Sequence, residues 1–237
     1  MKTIAIMQPA YLPWLGYFER AALVDEVISL DHVRIDRNSK TRFANRNRVR
    51  TSQGWTWLSV PLRTKGQDDL SLDRLQIDPA VRWRTKHWAT LEQNYRRAAC
   101  FAELAPALEA IYVREWSELV PLCVELTRAL LSAFEIDTHF RSSSQMQSRS
   151  TKSELILDLC LESQATHYLS GPFGRDYLDR EAFARAGITI DFHDYRHPIY
   201  PQSYPGFEPN LSACDLLFHA GRDARKILLT RREARAA

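Results

Sequence analysis

The sequence lacks the features of a membrane-spanning or secreted protein. No apolar run approaches the roughly 18 residues that a transmembrane helix needs. The apolar residues at the start of the chain end at Gln8-Pro9, and no small-residue cleavage site follows them, so they predict a first strand rather than a signal peptide. The four cysteines are scattered without CxxC spacing, which is typical of reduced thiols. We therefore expect a soluble, cytoplasmic protein.

Several motifs of well-defined chemistry are also missing. There is no HExxH or CxxC pattern for a metal ion, no GxSxG turn for a nucleophile and no Walker loop for a nucleoside triphosphate. The segment Ser170-Gly171-x-x-Gly174 falls short of the GxGxxG fingerprint of dinucleotide-binding folds. The sequence thus predicts no metal site and indicates no particular cofactor.

The charge of the chain is nearly balanced. Its formal net charge is +3 at pH 7, and much of the excess lies between Arg222 and Arg235. So small a surplus is typical of a solvated charged surface and does not argue for nucleic acid binding. It would suit a phosphorylated small molecule in one local pocket.

Short apolar runs and helical spacings alternate along the chain. Apolar residues make up 45% of the sequence, which is an ordinary balance for a globular protein. Five runs read as strands, and they lie at 3–7, 26–30, 138–141, 166–169 and 188–192. Strands that alternate with helices favour parallel pairing through right-handed crossovers. We therefore predict a single α/β domain over residues 1–237, with an open, mostly parallel (Rossmann-like or HUP-like) sheet flanked by helices.

The segments between these strands have their own patterns. Residues 79–135 show helical spacing without a strand signal, so we predict a helical insertion or subdomain there. The other predicted helices lie at 13–24, 152–162, 177–186 and 212–221. A polar loop or hairpin arm is expected at 36–50, a strand at 55–60 and a further hairpin at 63–78.

The residues that leave the predicted strands are all polar or rich in glycine. They lie at 8–11, 31–32, 142–144, 170–174 and 193–194. Ligands of open α/β sheets bind beyond the carboxyl ends of the strands, so this clustering predicts a small-molecule pocket.

The stretch from Gln8 to Phe18 is the most distinctive of these segments. It joins the end of a strand to the start of a helix, where free N–H groups favour an anion. Gln8 can donate and accept hydrogen bonds, while Tyr11 and Trp14 can stack on a ring. The alternative is a rigid turn packed with aromatic side chains.

Two further strand ends supply candidate binding residues. Ser170 and Gly171 would let the backbone approach a phosphate or sugar, although a tight structural turn explains them equally well. Ser143 precedes the helix that carries Lys152, and a lysine beside a strand-end loop could hold a phosphate. Helix capping is the alternative role for the serine.

Three residues outside the strand ends are candidates for holding an anion. Asn45, Arg46 and Arg48 belong to the Asn-Arg-Asn-Arg run at 45–48. Its two guanidinium groups could bind phosphate or carboxylate. An exposed polar arm is the competing interpretation.

His87 and Asp215 are the candidate catalytic residues. A histidine with a pKa near neutrality can move a proton, and Asp215 stands in an apolar helix where a carboxylate needs a partner. The alternatives are a structural histidine and a structural capping carboxylate.

The quoted motifs together resemble the WbqC-like family of bacterial proteins. The resemblance covers residues 4 to about 221. It rests on the opening Ile-Ala-Ile-Met-Gln-Pro-Ala-Tyr-Leu-Pro-Trp-Leu-Gly-Tyr-Phe and on the runs at 45–48, 86–87, 168–171 and 211–218. Members of this family look associated with gene clusters for surface polysaccharide (O-antigen) and secondary metabolites.

The resemblance implies acyl or aminoacyl transfer to an amine or hydroxyl of a nucleotide-activated sugar or related metabolite. An acyl or aminoacyl carrier protein or a tRNA would be the donor. Two other functions stay open. One is a nucleotidyltransferase-like enzyme, although the sequence lacks a His-x-x-His motif, and the other is a non-catalytic binding or scaffold protein of a biosynthetic cluster.

Overall fold

The computed structural model describes residues 1–34, 44–63 and 70–236, with side chains through Thr230. The strands are β1 (Thr3–Met7), β2 (Glu26–Ser29), β3 (Arg46–Thr51), β4 (Gly54–Ser59), β5 (His139–Ser142), β6 (His167–Ser170) and β7 (Thr189–Phe192). The helices are α1 (Leu15–Ala21), α2 (Trp83–Tyr95), α3 (Phe101–Val113), α4 (Leu119–Ala133), α5 (Lys152–Glu162), α6 (Arg180–Arg185), α7 (Cys214–Ala220) and α8 (Ala224–Ala236).

Five strands form one open parallel sheet in the order β5-β2-β1-β6-β7. All five predicted strands are present within a residue or two, and the predicted α/β class is confirmed. From the central β1 the chain first builds outward through β2 and β5. It then returns to place β6 and β7 on the other side of β1. The direction of strand addition therefore reverses between β1 and β6, where ligands of such sheets bind.

Helices cover both faces of this sheet. Side chains alternate along β1, so that Ala5 and Met7 face one core while Ile4 and Ile6 face the other. The larger core lies between the sheet and helices α1–α4, α7 and α8. Helices α5 and α6 close the smaller core, in which Leu159 of α5 is fully buried. Burial on both faces explains why the central strands read as continuous apolar runs.

The predicted insertion at 79–135 consists of helices α2, α3 and α4. Their apolar side chains join the same large core as α1 and α7, including Leu91, Leu108 and Leu126. Pro121 lies in the first turn of α4. Proline is tolerated there because the backbone N–H groups of a first turn have no helical partner.

Strands β3 and β4 form a separate antiparallel hairpin, so the expected arm at 36–50 contributes β3. Residues 36–43 of that prediction lie outside the described residues. The hairpin expected at 63–78 is supported by antiparallel pairing of Leu62 with Ile77 and by the bond from Arg63 N to Gln76 O. Residues 64–69 lie outside the described part of the chain.

Two predicted helices are shorter than expected. Helix α1 begins only at Leu15, because Trp14 pairs in an antiparallel bridge with Ser212 and keeps an extended backbone. Helix α6 begins at Arg180, where the Asp179 carboxylate caps it by accepting a hydrogen bond from Ala182 N at 3.0 Å.

The helix predicted at 212–221 is present as α7 (Cys214–Ala220), but it is not the last helix. The chain turns at Gly221, whose φ is +50°, and continues as α8. In the part of α8 with described side chains, Ala224 and Leu228 are buried at helical spacing, but the arginines make the segment polar on average, which hides this short apolar pattern. No helix among the described residues is long and apolar enough to cross a membrane.

Candidate functional site

A crevice of about 250 Å³ opens at the carboxyl ends of β1 and β6. Its walls come from the loop after β1, from α1 and from the segment after β6. They include Met7, Gln8, Trp14, Arg20, Tyr168, Ser170 and Gly171. The crevice therefore lies where strand addition reverses direction, which is the expected place for a ligand in an open α/β sheet.

Four of the predicted binding residues line this crevice. Gln8 and Trp14 follow β1, while Ser170 and Gly171 end and follow β6. Because β1 and β6 are parallel neighbours, their carboxyl ends meet at one edge and bring the two motifs together. Gln8 is exposed, so its amide can reach a ligand from solvent.

Arg20 supplies a cation to the crevice, and the sequence reading missed it. Its Nε–H donates to the Met7 Sδ at 3.0 Å, which holds the half-buried guanidinium against the end of β1. Among the described residues no carboxylate pairs with this guanidinium. The titratable groups around it are Tyr168, Tyr17 and Tyr177.

Burial lowers the pKa of Arg20 from its usual value, although an arginine side chain stays protonated in proteins. A guanidinium that has lost part of its hydration and faces a crevice is poorly compensated by a thioether and phenol groups. An anion in the crevice would supply the missing charge.

Glycine at position 171 makes room for that cation. A Cβ atom built there would lie 2.6 Å from Nη1 of Arg20, which is closer than real contacts allow. A Cβ at Gly174 would in turn collide with Ser170 Oγ. The two glycines of the Ser-Gly-x-x-Gly motif therefore leave room for the side chains of Arg20 and Ser170.

His87 lies outside the crevice lining, in a buried aromatic cluster. Its Nδ1 is 2.8 Å from Tyr11 Oη, and that hydroxyl is 2.5 Å from Tyr112 Oη. The ring of Trp83 packs edge-on against the imidazole. Burial, aided by the charge of Lys86, lowers the pKa of His87 to about 4, so the imidazole is neutral at pH 7.

Asp215 is fully buried and also lies away from the crevice lining. Its carboxylate accepts hydrogen bonds from Tyr95 Oη and Tyr200 Oη, each at 2.8 Å, and from Gln202 Nε2 at 2.9 Å. Burial raises the pKa of Asp215, and these three donors oppose the rise. The network ties α7 to α2 and to the loop that precedes α7.

Ser143 lies at the ends of β2 and β5, next to Asp31 and His32. Its hydroxyl donates to Asp31 Oδ1 at 2.9 Å and accepts from Asp31 N at 3.1 Å. Nδ1 of His32 is 2.6 Å away and, because the serine proton is already donated, acts as the donor. Lys152 is exposed at the start of α5, and neither residue lines the crevice.

The residues of the Asn-Arg-Asn-Arg run lie on the β3–β4 hairpin, outside the crevice lining. Asn45 Nδ2 donates to Val60 O at 2.9 Å and joins the two strands. The Arg46 guanidinium lies 4.4 Å from the ring centre of Trp57, and that of Arg48 lies 4.9 Å from Trp55. Cation–π stacking accounts for both positions.

The sequence analysis also missed a buried contact between His193 and Glu19 at the carboxyl end of β7. Nε2 of His193 lies 2.6 Å from an Oε atom of Glu19, and both side chains are almost fully buried. Helical spacing in α1 is the signal that could have found Glu19 and Arg20. Glu19 lies three residues after Gly16 and Arg20 lies three residues after Tyr17, so each shares a side of the helix with a buried residue.

The open five-stranded parallel sheet flanked by helices defines an α/β protein, and the crevice beside its central strand is the candidate site. Residues 8–227 match the family model of the WbqC-like protein family, and the chain belongs to that family. It is 39% identical over 226 residues to the uncharacterized protein Rv1507c of Mycobacterium tuberculosis, covering 94% of this chain and 96% of that protein. No solved structure matches the chain.

The buried His87 generates a prediction about pH. The unfolded chain binds a proton at this histidine near pH 6.5, whereas the folded protein binds it only near pH 4. Stability is therefore lost as the pH falls through this window, by on the order of 3 kcal/mol when complete. His87→Asn should flatten the dependence of the unfolding free energy on pH between 7 and 4.5, as measured by urea denaturation. His167→Asn, at a histidine whose ring contacts the exposed hydroxyl of the neighbouring Thr166, should keep the wild-type slope.

The Asp215 network generates a prediction about stability. Asp215→Ala would leave two tyrosine hydroxyls and an amide without their buried acceptor, which should lower the unfolding free energy by about 3 kcal/mol or more. Asp158→Ala is the matched control, since Asp158 accepts from Ser148 and Ser150 near the surface, and about 1 kcal/mol or less is expected. Equal losses in the two variants would contradict the structural role assigned to the network.

Proposed function

We propose that this protein is a transferase that acts on an anionic, activated small molecule. It would transfer an acyl or aminoacyl group to an amine or hydroxyl of a nucleotide-activated sugar or related metabolite in surface-polysaccharide or secondary-metabolite biosynthesis. The observation that carries the proposal is the Arg20 guanidinium, which faces the crevice at the reversal point and pairs with no carboxylate in the described part of the chain.

The chemistry of the crevice supports a phosphorylated ligand. A guanidinium presents several N–H donors in a planar fork that matches phosphate oxygens. Around it stand neutral polar groups, namely the Gln8 amide and the Ser170 hydroxyl, which itself donates to Gly171 O at 3.1 Å. No acidic residue lines the crevice among the described residues. Such a site attracts an anion through Arg20, and its described lining holds no carboxylate that would repel the anion. Trp14 offers an apolar surface to the rest of the ligand.

The group donor and the proton transfer belong to the finer part of the proposal. An acyl or aminoacyl carrier protein or an aminoacyl-tRNA is the proposed donor. His87 and Asp215 remain the predicted proton-transfer residues, although the crevice lining does not include them. Their single substitution in a turnover assay, judged against the stability losses given above, tests that prediction.

A nucleotidyltransferase-like activity is the second candidate. The observation that favours it is the parallel sheet with its reversal point beside the first strand, an arrangement that many nucleotide-binding folds share. ATP–pyrophosphate exchange separates the two candidates, because only a nucleotidyl transfer returns label from pyrophosphate to ATP.

Anion binding by Arg20 is tested with inorganic pyrophosphate and a UDP-sugar. A ligand at about a hundred times its Kd stabilises the fold by roughly 2.7 kcal/mol, which raises the Tm of a protein of this size by several degrees. Arg20→Met should weaken both ligands at least about tenfold in calorimetry, and Arg20→Lys should fall between. Arg128→Met removes a surface arginine paired with Glu125 and should bind as the wild type does. Undiminished binding by Arg20→Met would exclude the proposed site.

Gly171 gives a second test of the same site. Gly171→Ala should displace the guanidinium without unfolding the protein, because the atom in the way is the far end of a flexible side chain. Pyrophosphate affinity should fall roughly tenfold, as when one charge-assisted hydrogen bond is weakened by about 1.4 kcal/mol. In the Arg20→Met background the same change should have no further effect. Additive losses would show that Gly171 acts by another route.

A further inference from the structure

The crevice is too small to enclose a whole activated metabolite. Its volume is about 250 Å³, whereas pockets that bury drug-sized ligands measure roughly 300–1,000 Å³. A ligand that fills the part around Arg20 with phosphate groups must therefore extend past the opening. The surface at that opening decides what the remainder of the ligand is.

Two large aromatic side chains stand exposed in the crevice wall. Phe173 is 64% exposed and Tyr177 is 49% exposed, and both line the crevice. They belong to the short 3-10 helix Pro172–Asp176 and the residue after it, directly beyond Ser170 and Gly171. Single exposed apolar residues are ordinary, but two at the rim of one polar crevice mark a binding surface.

The polarity of the site changes from its interior to its rim. The interior presents the Arg20 cation and the Ser170 hydroxyl, and the rim presents the exposed aromatic side chains of Phe173 and Tyr177. A ligand that matches this order has phosphates at one end and a flat, apolar-faced ring at the other. Stacking on exposed aromatic rings suits any nucleobase, because each base has a π-face.

From this arrangement we propose that the ligand is a nucleotide whose base stacks on Phe173 and Tyr177 while its phosphates meet Arg20. The inference rests on the proposed function and adds the part of the ligand that the aromatic rim recognises. Sugar phosphates without a base use the interior alone and bind more weakly. Free nucleoside diphosphates and nucleotide sugars share the required chemistry.

The experiment compares pyrophosphate, ribose 5-phosphate, UDP, ADP and a UDP-sugar by calorimetry. At least one nucleotide should bind the wild-type protein about tenfold or more tightly than pyrophosphate. The double variant with Phe173→Ala and Tyr177→Ala should remove that advantage. Phe173→Ala alone, which keeps Tyr17, Tyr168 and Tyr177 around Arg20, should reduce the advantage and leave pyrophosphate binding unchanged. A gain for the UDP-sugar over UDP identifies the nucleotide sugar as the source of the nucleotide.

The matched control is Trp55→Ala, which removes an exposed aromatic ring from the β3–β4 hairpin and should bind all probes as the wild type does. Because Phe173 and Tyr177 are exposed, their loss should leave the Tm near that of the wild type. Nucleotides that bind no better than pyrophosphate overturn this inference and leave the Arg20 site standing. Failure of every probe, pyrophosphate included, overturns the proposed function together with it.

Discussion

The pairing of β1 with a parallel strand on each edge determines where this protein can meet a ligand. With β2 on one side and β6 on the other, the connections leave β1 and β6 toward opposite sides and open a gap at their carboxyl ends. The loop after β1 and the glycine-containing segment after β6 fill the rim of that gap. The side chains that line the crevice, from Gln8 to Gly171, depend on this one piece of topology.

Arg20 gives the gap its chemical character. A guanidinium that is half-buried needs compensation, and the described chain provides only the Met7 sulfur and the surrounding tyrosines. By contrast, other buried polar groups of the described chain have close partners within the fold, and Arg50, for example, donates to the backbone carbonyls of Gly54 and Pro205. Asp215 has three donors, and His193 lies against Glu19. These groups hold the protein together, whereas Arg20 has no carboxylate partner among the described residues, and we propose that it binds an anion.

The sheet could be predicted because its information is local. A βαβ rhythm, apolar runs and polar exits identified the five strands and placed Gln8, Trp14, Ser170 and Gly171 at one edge. Helix α8 was missed because its short apolar pattern, at Ala224 and Leu228, stands in a polar, arginine-rich sequence.

Arg20 was missed because an arginine in an amphipathic helix usually faces solvent, and only the positions of Met7 and Gly171 show that it turns inward. His87 and Asp215 stand out in sequence as polar residues in apolar surroundings. Sequence alone cannot tell a buried polar group that has its partners from one that faces a ligand, because those partners come from distant parts of the chain. Tyr11 supplies the partner of His87, and Tyr95 and Tyr200 supply those of Asp215.

The most direct test of this account is a crystal structure of the protein with a bound nucleoside diphosphate. The account predicts phosphate oxygens within about 3 Å of the Arg20 guanidinium, beside Gly171 at the ends of β1 and β6. Phosphates held instead by Arg46 and Arg48 on the hairpin, with the crevice empty, would contradict it.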